Sequence, residues 1–81
     1  MVSRKISGRS RGNIGEMIPH IVQTACAYQS AIVFQVDNKR VNAKSIMGVM
    51  ALASQNNADI EISADGPDEA EALGAVSGLM E

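Results

Sequence analysis

Tryptophan is absent from this chain, and cysteine, histidine, tyrosine and phenylalanine occur once each. A lone cysteine, Cys26, excludes an intrachain disulfide and a cysteine-built zinc cluster. A lone histidine, His20, offers one imidazole, which makes a poor metal site. With Tyr28 and Phe34 as the only aromatics, the core must be aliphatic, built from Ile, Val, Leu, Met and Ala. No segment approaches the roughly 18 apolar residues of a membrane span. Basic residues near the start are not followed by the apolar core of a signal peptide, so a cytoplasmic location is expected. Positive charge is not in excess either: the net charge of -2 argues against bulk electrostatic binding to nucleic acid or to a membrane surface. There is no internal repeat, low-complexity tract or interdomain linker. The 81 residues make one domain, 1–81, whose core is modest because a chain this short buries only about 60% of its extended surface.

What is present is ordinary in amount and uneven in placement. Hydrophobic content of 46% and charged content of 20% are those of a globular protein. Arg4, Lys5, Arg9 and Arg11 gather near the start, while most acids follow Asp59. The result is a short basic edge, read as a solvated strand and loop; the Arg9–Arg11 loop could otherwise hold an anionic ligand.

Met1 to Ser7 reads as a strand, and Gly8 to Gly15 as a loop with three glycines and two arginines. From Glu16 to Tyr28, the apolar residues Met17, Ile18, Ile21, Val22, Ala25 and Cys26 recur at helical spacing. Pro19 is tolerated only in a first turn, so the spacing predicts a helix starting near Glu16 or Met17, with Cys26 on its apolar face packing as a small hydrophobe. Ala31 to Val36 is rich in β-branched residues and Lys39 to Asn42 returns from a turn at Asp37–Asn38, giving a hairpin. A helix after Ser45 is closed by Gln55-Asn56-Asn57. Asp59 to Asp65 alternates, with Ile60, Ile62 and Ala64 on one side. A last helix opens at Gly66-Pro67-Asp68-Glu69, with a core stripe of Ala72, Leu73, Val76 and Leu79 or Met80. The order β-α-β-β-α-β-α fits an α+β fold: a four-stranded antiparallel sheet with three helices on one face.

The chain is organised around Val41 to Ala53, V-N-A-K-S followed by the apolar run I-M-G-V-M-A-L-A. Ser45 stands where a helix N-cap belongs, and its hydroxyl can accept a free N–H of the first turn. The helix dipole favours an anion there, so a phosphoryl group on Ser45 would leave the helix intact. Ile46, Met47, Val49, Met50, Leu52 and Ala53 cover more of the helix than one buried face needs. Part of the run must therefore face water or a partner, and Met47 and Met50 are expected to be the exposed pair, with methionine suiting an adaptable contact. Gly48 lies between them at a cost of about 1 kcal/mol in helix propensity, which close approach of a partner or a neighbouring backbone would explain.

V-N-A-K-S-I-M-G-V-M-A-L resembles the regulatory-serine segment of HPr, the small phosphocarrier of the bacterial sugar phosphotransferase system, and of its Crh-type relatives. The resemblance continues more weakly through V-Q-T-A-C-A-Y-Q-S-A and A-D-I-E-I-S-A-D-G-P-D-E-A-E-A-L. It implies an HPr-like open-faced β-sandwich, no enzymatic activity and no cofactor. It also implies phosphorylation at the hydroxyl that Ser45 occupies, by an HPr kinase/phosphorylase-like kinase. Lys44, Ile46, Met47 and Met50 would then be partner-binding residues for a transcriptional regulator or metabolic enzyme of carbon catabolite control. Crh-type likeness also allows a homodimer that swaps the N-terminal strand.

The family carries phosphate on a histidine in a G-x-H-A-R-P type motif at the start of the first helix. Counted back without gaps, Gly12 fits the motif's glycine, but Ile14 replaces the histidine, Glu16 the arginine and Met17 the proline. Isoleucine cannot accept a phosphoryl group, and a carboxylate in place of a guanidinium would repel one. The favoured reading is therefore a non-catalytic regulatory member of Crh type. A phosphocarrier using a displaced histidine, His20, is the competing one, although His20 lies six residues past Ile14, more than one and a half helical turns away. A pure protein-interaction module, with Ser45 only a cap, is the third.

Overall fold

The computed structural model describes residues 1–6, 14–53 and 59–80, and of residues 14, 15 and 53 the backbone alone. Its elements are β1 (Val2–Ile6), α1 (Ile14–Cys26), β2 (Ala31–Val36), β3 (Lys39–Asn42), α2 (Ile46–Ala53), β4 (Ile60–Asp65) and α3 (Glu69–Met80). The strands form one antiparallel sheet in the order β1-β4-β2-β3. Ile6 lies opposite Ile60, and Phe34 lies opposite Ile62 on one side and Val41 on the other. The alternation of β4 thus continues in register across the sheet, because successive side chains point to opposite faces.

One face is apolar and covered by the helices. Ile6, Ile32, Phe34, Val36, Ile60, Ile62 and Ala64 are buried there against Ile21 and Ala25 of α1, Val49 and Leu52 of α2, and Ala72, Val76 and Met80 of α3. Burying each of the larger aliphatic side chains contributes about 2 kcal/mol. The other face is polar: Lys5 lies opposite Glu61, which lies opposite Gln35, and Gln35 opposite Arg40. Between β2 and β3 the chain turns on Asp37, whose φ of 53° is one that Asp adopts more readily than most residues.

Several elements depart from the sequence expectation. Helix α1 starts at Ile14, so Pro19 lies inside it rather than in its first turn. The lost bond is the single one that residue 19 would donate to the carbonyl of residue 15, and the packing of Ile21 and Ala25 outweighs it. Cys26 is exposed, not packed: Ala25 takes the last buried position of the helix, and the chain leaves it at Ala27. On α3 the buried residues are Ala72, Val76, Ser77 and Met80, with Leu73 and Leu79 half-buried beside them. The expected closure at Gln55-Asn56-Asn57, Ser7, and the Arg9–Arg11 loop lie outside the described residues.

The loop between α1 and β2 is fixed from α3. The Asp68 carboxylate accepts the backbone N–H groups of Gln29 and Ser30, both at 2.9 Å, and the hydroxyl of buried Ser30. The Ser30 hydroxyl, then the Gln29 amide, hold the Asp68 carboxyl below its ordinary value. Asp68 is also the N-cap of α3, its carbonyl accepting the Ala72 N–H at 2.9 Å. Gly66 passes so close that a Cβ there would lie 2.6 Å from the Ser30 Cα, and its φ is +154°. Only glycine fits that crossing without strain.

Candidate functional site

The site is built where β3 hands the chain to α2. Asn42 ends β3 and turns the chain twice: its side-chain oxygen accepts the Lys44 N–H at 2.9 Å, and its carbonyl accepts the Ser45 N–H at 2.9 Å. This is the local bonding by which Asn initiates turns. Ser45 then caps the helix. Its Oγ accepts the Gly48 N–H at 3.3 Å, and its carbonyl accepts the Val49 N–H at 3.0 Å as the first helical bond. The Ser45 side chain is exposed. Its hydroxyl is thus open to solvent and aimed at the positive end of the helix dipole.

Lys44 is half-buried, and its ammonium donates to the Tyr28 carbonyl at 2.8 Å, just past the end of α1. A cation at a helix C-terminus satisfies an orphan carbonyl and complements the dipole. Lys44 therefore ties α2's entry to α1's exit, a contact that sequence spacing alone does not contain. The Cys26 thiol lies at the same junction, 4.0 Å from the Lys44 carbonyl.

Next to Ser45, α2 divides into two faces. Val49 and Leu52 are buried, while Ile46, Met47 and Met50 are 50%, 77% and 56% exposed. Gly48 faces the sheet: a Cβ there would sit 3.2 Å from the Val41 Cβ and 3.5 Å from the Asn42 carbonyl oxygen. Close approach of a neighbouring strand accounts for this glycine. The apolar face of Ile46, Met47 and Met50 thus begins beside the open hydroxyl of Ser45.

At the other candidate position, Glu16 and His20 are exposed on α1. The side chain of Ile14 and all of Gly12 lie outside the described residues. Among the described residues no group of His, Cys, Asp and Glu is arranged to hold a metal ion, and no helix is long and apolar enough to cross a membrane. Asn42 went unremarked in the sequence, although an Asn two residues before the Lys44 N–H and three before the capping serine is the pattern that marks such a turn.

The sequence model of the family described as "PTS HPr component phosphorylation site" matches residues 17–81. The chain belongs to the HPr family. The match begins at Met17, so Ile14 and Glu16 lie ahead of it. Over 61 residues, 75% of this chain and 69% of the relative, it is 48% identical to the phosphocarrier protein HPr of Treponema pallidum (strain Nichols). In structure it is similar to HPr-C-His from Thermoanaerobacter tengcongensis, with a TM-score of 0.86 and 37% identity over 99% of this chain and 91% of that one. It is also similar to Crh from Bacillus subtilis, described as a domain-swapped dimer, with a TM-score of 0.73 and 35% identity over 98% of this chain and 92% of that one. The four-stranded antiparallel sheet and three helices are thus an HPr fold. HPr proteins are phosphocarriers and not enzymes.

Proposed function

We propose that this protein is a regulatory HPr of Crh type, written on at Ser45 by an HPr kinase/phosphorylase-like kinase and read by a protein partner. The observation that carries this reading is the exposed Ser45 hydroxyl capping α2 directly beside the open face of Ile46, Met47 and Met50. The kinase moves the γ-phosphoryl of ATP to Oγ, and ADP leaves. The new anion then sits at the dipole's positive end, where the Gly48 N–H already donates. A transcriptional regulator or metabolic enzyme reads it with its own arginines or lysines and covers the methionine face. The Lys44 ammonium is engaged on Tyr28, so the reading cations come from the partner. The proposed setting is the cytoplasm, and likeness to the swapped Crh dimer favours testing for a homodimer by light scattering.

Ile14 and Glu16 are the grounds for setting aside phosphate transfer through the first helix, because isoleucine has no atom to accept a phosphoryl group and a carboxylate in the arginine's place repels one. Incubation with HPr kinase and ATP, followed by mass spectrometry, tests the assignment. Phosphate on Ser45 supports it; phosphate elsewhere, or none, defeats it.

A phosphocarrier role through His20 is the second reading, favoured by the exposure of that imidazole and by the name of the Treponema relative. Incubation with enzyme I and phosphoenolpyruvate decides it: acid-labile phosphate that disappears in His20→Ala would replace the regulatory reading.

A further inference from the structure

The five methionines divide sharply by exposure. Met80 is 1% exposed within the core and Met17 is half-buried, whereas Met1 is 74% exposed just ahead of β1, and Met47 is 77% and Met50 56% exposed on the same short helix. Met47 and Met50 stand three residues apart, which puts both thioethers on neighbouring positions of one helix face. That helix is anchored through Val49 and Leu52, and Gly48 is pressed against Val41, so α2 cannot roll to hide its sulfur atoms.

We propose that Met47 and Met50 are a pair of reversible oxidation sites, converted to sulfoxides by hydrogen peroxide, that switch the open face of α2 from apolar to polar. In each step a sulfur lone pair takes one oxygen atom, the peroxide O–O bond breaks and water leaves. Reduction by two thiols returns the thioether, with a disulfide and water as products. A sulfoxide is polar and chiral, so it removes the apolar character that a docking partner would cover. Ile46, the third member of the face, has no oxidisable atom and remains as a smaller apolar remnant. Because neither sulfur contributes to the core, the fold survives the change. The regulatory meaning of the switch rests on the proposed docking face beside Ser45; the oxidation itself does not.

No lysine or arginine follows Lys44, so one tryptic peptide, starting at Ser45, carries Met47, Met50 and the internal control Met80. The experiment uses the full chain with Cys26→Ser, which removes the competing exposed thiol. Samples taken through a hydrogen peroxide time course are analysed by fragment-ion mass spectrometry, circular dichroism and retention on a phenyl column. Met47 and Met50 are expected to oxidise on the order of tenfold faster than Met80, as exposure dictates. Ellipticity should stay unchanged while retention falls, and methionine sulfoxide reductases A and B with dithiothreitol should restore it. A Met47→Leu/Met50→Leu variant, which keeps only Met1 as an exposed thioether, should lose clearly less retention than the parent. Oxidation of Met80 at the same rate, loss of ellipticity in step with Met47 and Met50 oxidation, or unchanged retention would each overturn the proposal. Failure of Ser45 to accept phosphate would leave every one of these readings intact, so the two ideas fail separately.

Discussion

The Lys44 ammonium donates to the Tyr28 carbonyl at 2.8 Å, joining the entrance of α2 to the exit of α1. Sixteen residues of sequence separate the two, and the β2–β3 hairpin lies between them. Lys44→Ala should therefore loosen a loop far along the chain. The expected cost is about 1 kcal/mol, with faster amide exchange around Tyr28, followed by NMR. Exchange at the core strand residues Phe34 and Ile62 should change only by the global loss of stability.

Ser45→Ala removes the Oγ that accepts the Gly48 N–H. A loss of about 1 kcal/mol is expected from urea denaturation, and Ser45→Asp should recover most of it, since aspartate caps as well as serine and suits the dipole. An alanine variant as stable as the parent would show that the cap bond contributes nothing.

Replacing Met47 and Met50 together by glutamine should shift stability by no more than about 0.5 kcal/mol, because both side chains lie outside the core. Phe34→Ala, in contrast, should cost about 3–5 kcal/mol, since the ring is fully buried between Ile62 and Val41. Comparing the two by thermal melting separates the open face of the molecule from its core.

Gly66→Ala should destabilise by about 2 kcal/mol or more, because the new Cβ would meet Ser30 backbone and side chain at under 3 Å and φ is positive. The check is the urea midpoint at constant slope.

Stability should fall with acid through Asp68. Its carboxyl is held below the ordinary value by the Ser30 hydroxyl and the Gln29 amide, so on acidification the unfolded chain takes up that proton first. The contribution is complete above about pH 5 and is lost as pH drops through the lower folded value. Asp68→Asn should be less stable than the parent at pH 7, and the gap should narrow towards pH 3 in paired denaturation curves.

What could be read from the sequence was what is local. The Ser45 cap, the alternation of Ile60, Ile62 and Ala64, and the hairpin at Asp37–Asn38 each depend on a few neighbouring residues, and each stands in the structure as the pattern implies. Exposure of Met47 and Met50 was legible too, because the run held more apolar surface than one face could bury. Cys26 was not legible, since helical spacing continues the apolar stripe one position beyond where the chain leaves α1. Pro19 misled for the opposite reason: local bonding rules place it in a first turn, and tertiary packing overrode them. Lys44 on Tyr28 and Asp68 on Ser30 join residues 16 and 38 positions apart, which no periodicity encodes.

The strand order has a consequence for a chain emerging from the ribosome. β4 lies between β1 and β2, so among the described strands β1 has no pairing neighbour until residues 60–65 arrive. The β2–β3 hairpin can pair early, whereas β1 waits through some fifty residues of synthesis, at roughly 5–20 residues per second. For those seconds its edge is unclaimed, and a second nascent copy within reach could claim it.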